Sequence, residues 1–319
     1  MDLKLSVIIP CYNEEEVIAA TYARVDRSLK NAGASRREIV FINDGSRDRT
    51  LEILRTIAHT DPDVRVLSFS RNFGHQPAVA AGIENCTGDV AVIIDADLQD
   101  PPELIGDMVR IHISQEANIV YGLRTSRKGE SFFKKLSAYL FYRLLGFLSD
   151  AQKPPKDTGD FRLIDRRIID TFKTMPERKE YLRGLIHWMG FKQVALPYQR
   201  EERYAGQTKY PFRKMLKFAS HGVQYFSAKP LKLATTVGLF SIAVGILLAI
   251  YVLFTYFSKT VSLVPGWAST VITIIFFGGV QLLCLGILGS YLAIVFDEVK
   301  KRPQYIIQES INAPEDPVA

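Results

Sequence analysis

Short apolar runs alternate with amphipathic stretches along the first 125 residues. The runs are rich in valine and isoleucine and end in polar residues, a pattern typical of strands buried in a parallel sheet. Strands are predicted at residues 5–10, 38–42, 64–69, 89–94, 119–122 and 192–197, and helices at about 14–31, 48–58, 76–85 and 103–114. This alternation predicts a mainly parallel α/β sheet with right-handed crossovers.

The pattern changes near residue 229. Residues 233–257 and 260–296 contain no charged side chain, and about 20 apolar residues suffice to cross a membrane. Two transmembrane helices are therefore predicted within residues 229–297. More Lys and Arg flank the outer ends of this pair than the bend between the helices, where Lys259 is the one cation. The positive-inside rule then places both termini in the cytoplasm.

Two further stretches interleave aromatic side chains with cations. They cover about residues 131–148 and 212–226 and are predicted to be interfacial helices on anionic lipid; an ordinary amphipathic core helix is the alternative. The predicted organisation is a catalytic domain at 1–228, the membrane pair at 229–297 and a cytoplasmic tail at 298–319. The chain has 319 residues and a net charge of +6, enough for one domain of about 200 residues and an appendage.

The candidate chemistry lies where the predicted strands end. Asp95 and Asp97 follow the fourth strand, are two residues apart and would share one face of a regular strand. With the amide oxygen of Gln99 they offer hard oxygen ligands for Mg²⁺ or Mn²⁺ on a diphosphate; a solvated acidic turn is the alternative. Asp44 ends the second strand in the same way. The sequence contains neither G-x-G-x-x-G nor a Walker A motif, which disfavours dinucleotide oxidoreductases and P-loop NTPases.

Six motifs then occur in an order that resembles a known family. They are Ser6–Glu14, Asn43–Ser46, Arg71–Gly74, Asp95–Pro102, Asp160–Leu163 and Arg203–Tyr210. In this order they resemble the inverting GT-A glycosyltransferases that load a sugar onto polyprenyl phosphate, such as dolichol-phosphate mannose synthases and bactoprenol glucosyltransferases. The two spans and residues 298–303 are similar to the bacterial and phage branch. Cys11 departs from the usual threonine.

The resemblance implies a Rossmann-like GT-A domain and a role for each candidate residue. The base and ribose of the donor would contact Pro10, Tyr12, Glu14 and Asp44, and the metal on the diphosphate would bind Asp95, Asp97 and Gln99. The donor diphosphate would be covered by Arg203 and Tyr210, and the sugar or the reacting centre would face Asp157 and Asp160. The acceptor phosphate would face Arg124, with Arg127, Lys134, Lys135 and Ser137. A phosphate acceptor is already dianionic near pH 7, so it needs cations rather than a general base. The alternative for these cations is simple contact with a lipid surface.

The implied function is inverting transfer of a hexose to polyprenyl phosphate at the cytoplasmic face of the membrane, with UDP-glucose as the best donor. No nucleic acid is expected as a partner. Small residues spaced four apart in the spans, such as Gly245 and Ala249, allow close helix packing and a homo-oligomer. A processive polysaccharide synthase is disfavoured because the chain lacks Q-x-x-R-W and further spans. A non-catalytic, membrane-anchored scaffold is disfavoured because Asp95, Asp97 and Arg203 are present.

Overall fold

The computed structural model of the protein describes residues 3–125, 158–175, 177, 181–201, 229–258 and 266–313. The described residues divide between two compact units, one containing the strands and the shorter helices and the other containing two long helices. The predicted domain boundaries at 228/229 and 297/298 stay a prediction, and both predicted interfacial helices lie outside the described residues.

Within the described residues, eight strands form one sheet. They are β1 Lys4–Cys11, β2 Arg36–Asn43, β3 Val64–Phe69, β4 Val90–Ile93, β5 Ile119–Arg124, β6 Thr158–Asp165, β7 Gln193–Tyr198 and β8 Ile307–Ile311. Their order across the sheet is β7-β5-β6-β4-β1-β2-β3-β8. The central strands β4, β1, β2 and β3 are parallel neighbours, and β5 is parallel to β7. Because β6 is antiparallel to both β4 and β5, the carboxyl ends of β4 and β5 lie at the same edge.

Helices follow the strands and cover the sheet. They are α1 Ile18–Asn31, α2 Thr50–Thr60, α3 His75–Asn85, α4 Ile105–Gln115, α5 Arg166–Thr174 and α6 Leu182–Trp188, with a 3₁₀ turn at Pro102–Leu104 before α4. The core consists of β-branched and aromatic side chains on both faces of the central strands; Ile9, Phe41 and Val92 are completely buried. Burial on both faces is the reason these strands appear as continuous apolar runs.

The structure confirms the predicted α/β fold with two following apolar helices and adds two antiparallel strands to it. No strand is predicted from the sequence at the positions of β6 and β8. The strand predicted at 89–94 is also shorter in the structure, where β4 covers Val90–Ile93. The sheet is therefore mixed, with its parallel part at the centre.

The strand β8 fastens the chain after the long helices to the edge of the sheet. It pairs antiparallel with β3. Both oxygens of Glu309 accept hydrogen bonds from Arg55, and Asn312 donates to the carbonyls of Ala58 and Val64. The tail thus contributes structure to the unit that carries the candidate site.

The second unit consists of two helices, α7 Lys229–Ser258 and α8 Trp267–Val299. Each contains a segment long and apolar enough to cross a membrane, Lys229–Tyr251 and Ile272–Val299, with mean hydropathies of 2.3 and 2.2. Almost none of the side chains in these segments is buried in the protein. Gly245 of α7 lies against the ring of Phe277 of α8, as expected for a small residue at a helix contact.

Candidate active site

The loops after β1 and β2 meet at the carboxyl edge of the sheet. The backbone N–H of Asp44 donates to the carbonyl of Cys11 at 2.9 Å. Asn13 has a positive φ of 55°, and its side-chain oxygen accepts from the N–H of Arg47. These bonds bring the loop that carries Tyr12 beside Asp44 and leave the Tyr12 side chain exposed. Pro10 is buried within β1, and Glu14 follows at the start of the next turn.

The carboxylate of Asp44 shapes the loop after β3. It accepts hydrogen bonds from the backbone N–H groups of Phe73 and Gly74 at 2.7 and 2.9 Å and from the side chain of Asn72. Burial raises the pKa of Asp44, and the N–H donors oppose this without cancelling it. Three adjacent loops are therefore held in one arrangement by one acid. Its predicted contact with the base or ribose stays a prediction.

Asp95 and Asp97 do not lie on a strand, so the expectation that they share one strand face is wrong. β4 ends at Ile93 and the chain then turns tightly. Leu98 has a positive φ of 59°, and the N–H of Gln99 donates to Oδ1 of Asp97 at 3.1 Å. The two acids lie on a loop whose shape is fixed by this Asx turn.

Asp95 is incompletely paired: its nearest cationic neighbour is His75, whose Nε2 lies 3.7 Å from Oδ1 of Asp95, too far for a hydrogen bond. About a quarter of its side chain is exposed (28%), but its Oδ1 is buried and has no hydrogen-bond partner among the described residues. Burial, together with the charges of Asp160, Asp100 and Asp97, raises the pKa of Asp95 to about 6, although His75 opposes this shift. A buried carboxylate oxygen without a donor favours a bound cation.

The described residues contain no group of three or more His, Cys, Asp or Glu side chains arranged to hold a metal ion. Mg²⁺, however, is commonly bound by one or two carboxylates together with substrate phosphates and water. Asp95 and Asp97 fit that mode, and the observation that favours it is the buried Oδ1 of Asp95, which lacks a hydrogen-bond donor among the described residues. A divalent ion bound there could act as a Lewis acid on a phosphate group bound beside it.

Asp160 is surrounded by donors. Its Oδ2 is 3.0 Å from Nε2 of His75 and 3.3 Å from the amide nitrogen of Gln76, and its Oδ1 is 3.1 Å from Nε of Arg183. Burial favours the protonated acid, but the hydrogen bond from His75 and the charge of Arg183 outweigh it and hold the pKa of Asp160 well below its usual range. Asp160 is therefore a poor proton acceptor.

A second cluster surrounds Asp100, which is completely buried. Its Oδ1 accepts from the phenol of Tyr198 and from Nε of Arg200 at 3.2 Å. The same oxygen is 3.8 Å from Nη2 of Arg124, and Nε of Arg124 donates to the phenol oxygen at 3.2 Å. Arg124 lies at the end of β5, at the same edge as Asp95, as predicted.

Several residues that form these clusters are not among the site residues predicted from the sequence. They are His75, Gln76, Asp100, Arg183, Tyr198 and Arg200. His75 directly follows the motif Arg71–Gly74, and Asp100 lies inside the motif Asp95–Pro102, so a local sequence signal existed for both. No such signal existed for Arg183 on α6 or for Tyr198 and Arg200 at the end of β7 and just after it.

Several predicted site residues lie outside the described residues. They are Asp157, Arg127, Lys134, Lys135, Ser137, Arg203 and Tyr210. Their predicted roles stay predictions.

Comparison with known proteins gives consistent results. The model of the family described as "Glycosyl transferase family 2" matches residues 6–172. The chain is 46% identical to the uncharacterized glycosyltransferase YkcC of Bacillus subtilis over 97% of this chain and 94% of that protein. It is 38% identical to a prophage bactoprenol glucosyl transferase homolog of Escherichia coli, over 96% of this chain and 99% of that protein. Among solved structures, the mannosyltransferase PcManGT of Pyrobaculum calidifontis aligns with a TM-score of 0.47 and 18% identity over 94% of this chain and 87% of that chain.

Proposed function

The chain belongs to glycosyl transferase family 2, and from this premise we propose that it transfers a hexose from a nucleotide-sugar to polyprenyl phosphate with inversion. Glucose from UDP-glucose is the proposed donor chemistry, supported by relatives that are named bactoprenol glucosyl transferases. The observation that carries the proposal is the pairing, at one edge of the sheet, of an acidic loop for a metal–diphosphate with an arginine for a second phosphate.

In the proposed reaction, one oxygen of the acceptor phosphate forms a bond to the anomeric carbon of the hexose. The bond from that carbon to the donor's phosphate oxygen breaks, and the nucleoside diphosphate leaves with the electron pair. Attack opposite the leaving group inverts the anomeric configuration. No proton has to be removed, because a phosphate monoester has a second pKa near ~6 and is mostly dianionic at neutral pH.

The described residues suit a reaction of this kind. Asp95 and Asp97 would hold the divalent ion, with Gln99 beside them. Asp160, whose pKa is depressed, would orient the sugar or neighbouring cations rather than accept a proton. Arg124 would bind the acceptor phosphate, since a guanidinium pairs with phosphate through two parallel hydrogen bonds.

The same assignment extends to residues that the structure does not describe. Asp157 is proposed to face the sugar or the reacting centre. Arg203 and Tyr210 are proposed to contact the donor diphosphate, and Arg127, Lys134, Lys135 and Ser137 the acceptor headgroup.

We also propose that α7 and α8 cross the membrane, with both termini cytoplasmic. Side chains such as Leu247, Phe254 and Leu282 are each about two-thirds or more exposed in this unit (67%, 70% and 71%). Such continuous apolar exposure is unfavourable in water and suits lipid. The excess of cations at the outer ends supports the orientation. Packing through small residues would also allow a homo-oligomer.

Purified protein in detergent, supplied with undecaprenyl phosphate and a panel of radiolabelled nucleotide-sugars, tests this function. We expect a chloroform-soluble labelled product from one donor, with UDP-glucose the strongest. The product should not form in excess chelator and should reappear when Mg²⁺ or Mn²⁺ is restored. Failure of every donor in the panel to label the lipid would contradict the proposal.

A further inference from the structure

Two arginines share one buried acid at the carboxyl edge of the sheet. The parallel register of β5 and β7 places Arg124 opposite Tyr198, and Arg200 follows two residues later. The backbone N–H and the side-chain hydroxyl of Thr125 each donate a hydrogen bond to the carbonyl of Tyr198. These two bonds hold together the segments that follow β5 and β7. Asp100 receives the phenol of Tyr198 and Nε of Arg200. The cluster therefore joins three separate segments of the chain.

Two glycines provide the space that this cluster occupies. A Cβ on Gly159 would lie 2.3 Å from Nη2 of Arg124, and a Cβ on Gly122 would lie 2.7 Å from the ring of Tyr198. Contacts this short do not occur between a real Cβ and its neighbours, so any larger residue at either position must displace the side chain beside it. The backbone is thus shaped to admit one guanidinium and one phenol.

The charges in the cluster do not cancel. Two guanidinium groups face a single carboxylate, so the cluster of Arg124, Arg200 and Asp100 carries one surplus positive charge. Burial and the nearby Asp100 carboxylate raise the pKa of Tyr198, so its phenol stays protonated and adds no negative charge. Although the charge of Asp95 also acts on Arg124, the three groups of the cluster together can offer positive charge to an anion.

Both arginines are held through their Nε atoms and remain partly exposed. Arg200 uses Nε toward Asp100, and Arg124 uses Nε toward Tyr198. Their side chains remain 28% and 25% exposed. Among the described residues, no further contact engages the terminal nitrogens of Arg200. A guanidinium held by its Nε can offer its terminal N–H groups to phosphate oxygens. In Arg124, Nη2 also lies 3.8 Å from Oδ1 of Asp100, so Arg200 has the larger number of N–H groups to offer.

We propose that Arg200 and Arg124 form a phosphate clamp, which binds the phosphate monoester of the acceptor, and that Asp100 and Tyr198 are its positioning residues. The inference rests on the proposed function for the identity of the acceptor. The clamp lies within electrostatic reach of Asp95, whose charge contributes to raising the pKa of Arg124. A phosphate in the clamp would therefore lie near a diphosphate held at Asp95, and the two arginine charges of the clamp would offset the repulsion between these anions.

Kinetics in detergent test the clamp directly. We expect Arg200→Gln to raise the KM for undecaprenyl phosphate by about tenfold or more, as for loss of a hydrogen bond to a charged group, and to change the KM for the nucleotide-sugar less than twofold. Tyr198→Phe should shift the same acceptor KM in the same direction by a smaller factor. Guanidinium ion added to Arg200→Ala should partly restore the acceptor KM, which a merely structural role does not predict.

Arg110→Gln is the matched control, because it removes the same charge from an exposed side chain on α4; it should leave both KM values unchanged. Gly159→Ala provides a second approach that keeps every charged residue. The added methyl group displaces the guanidinium of Arg124, so the acceptor KM should again rise while the nucleotide-sugar KM does not.

Calorimetric binding of farnesyl phosphate and of UDP separates this inference from the proposed function. Wild-type protein should bind farnesyl phosphate, and Arg200→Gln should lose at least about tenfold of that affinity while keeping its affinity for UDP. Loss of that affinity supports the clamp even if no sugar is transferred and the proposed function fails. Unchanged acceptor KM and unchanged farnesyl phosphate affinity overturn the clamp while leaving the proposed function intact. Weakened UDP binding instead would assign Arg200 to the donor diphosphate and overturn the acceptor assignment.

Discussion

Two acids at opposite ends of the central strands have contrasting surroundings. Glu38, toward the amino end of β2, accepts hydrogen bonds at both carboxylate oxygens from Arg65, Ser6 and Thr87. These donors outweigh the effect of burial and lower the pKa of Glu38. Asp95, beyond the carboxyl end of β4, keeps a buried oxygen without a donor, and its pKa is raised to about 6.

The contrast separates an acid that stabilises the fold from one that serves a ligand. Every strong interaction available to Glu38 is already made within the protein. Asp95 lies close to other carboxylates and is left with an electrostatic cost that a bound cation would remove. Burial alone therefore does not identify a functional acid; incomplete pairing does.

The largest effect is expected for a substitution in the acidic loop after β4, which is proposed to bind the metal. Asp97→Asn should lower turnover on the order of 100- to 1,000-fold, since a Lewis acid on the leaving group supplies several kcal/mol. Asparagine retains the side-chain oxygen that accepts from Gln99, so the turn and the thermal stability should be preserved. Steady-state turnover and a melting curve measure both. Asp107→Asn, an acid on α4 paired with Arg110, is the control; equal turnover in the two variants would refute the role of Asp97.

For Glu38 we expect the opposite: a substitution should lower stability and leave substrate binding unchanged. Glu38→Ala leaves Arg65 buried without its counter-charge and should reduce the free energy of unfolding by about 3 to 5 kcal/mol. The protein that remains folded should keep the wild-type KM values. Thermal unfolding can be followed with a thiol-reactive dye, because Cys11 and Cys86 are buried in the sheet unit (4% and 2% exposed). A normal melting temperature with lost activity would assign Glu38 to the ligand site instead.

A smaller effect should appear as a function of pH. The pKa of Glu38 is lower in the folded protein than in the unfolded chain, whose value lies near ~4.3, so its stabilising contribution is complete above that value and is lost as the pH falls through the folded pKa. The difference in melting temperature between wild type and Glu38→Gln should therefore be largest above pH ~5 and shrink below pH ~4. A difference that stays constant over that interval would argue against the charged network.

The sequence predicted the parallel centre of the sheet because its strands are continuous apolar runs. It did not predict β6, which begins with Thr158, Gly159 and Asp160 and contains the buried Arg162. Because these residues are polar or glycine, β6 lacks the continuous apolar run by which the other core strands were predicted. Nor did the sequence predict β8, whose sequence Ile-Gln-Glu-Ser-Ile is an edge strand defined by its pairing with β3. Both strands depend on partners distant along the chain.

The candidate site was predictable to the same extent. Asp95, Asp97 and Arg124 each follow an apolar strand, so their shared edge follows from the topology. The surroundings that set their chemistry do not, because the His75–Asp160 contact spans 85 residues and the Tyr198–Asp100 contact spans 98. Contacts between residues this far apart along the chain determine which carboxylates have hydrogen-bond donors, and a local sequence pattern does not predict them.

The most direct test of the central claim is the effect of ligand on the melting temperature of wild type and of Asp95→Asn. If Asp95 at the carboxyl edge holds a metal–diphosphate, UDP and Mg²⁺ together should raise the wild-type melting temperature by about 5 to 10 °C at a concentration near 100 times Kd. Either ligand alone should do much less, and Asp95→Asn should show no combined effect. An equal rise in Asp95→Asn, or a full rise in wild type without a divalent ion, would contradict the account.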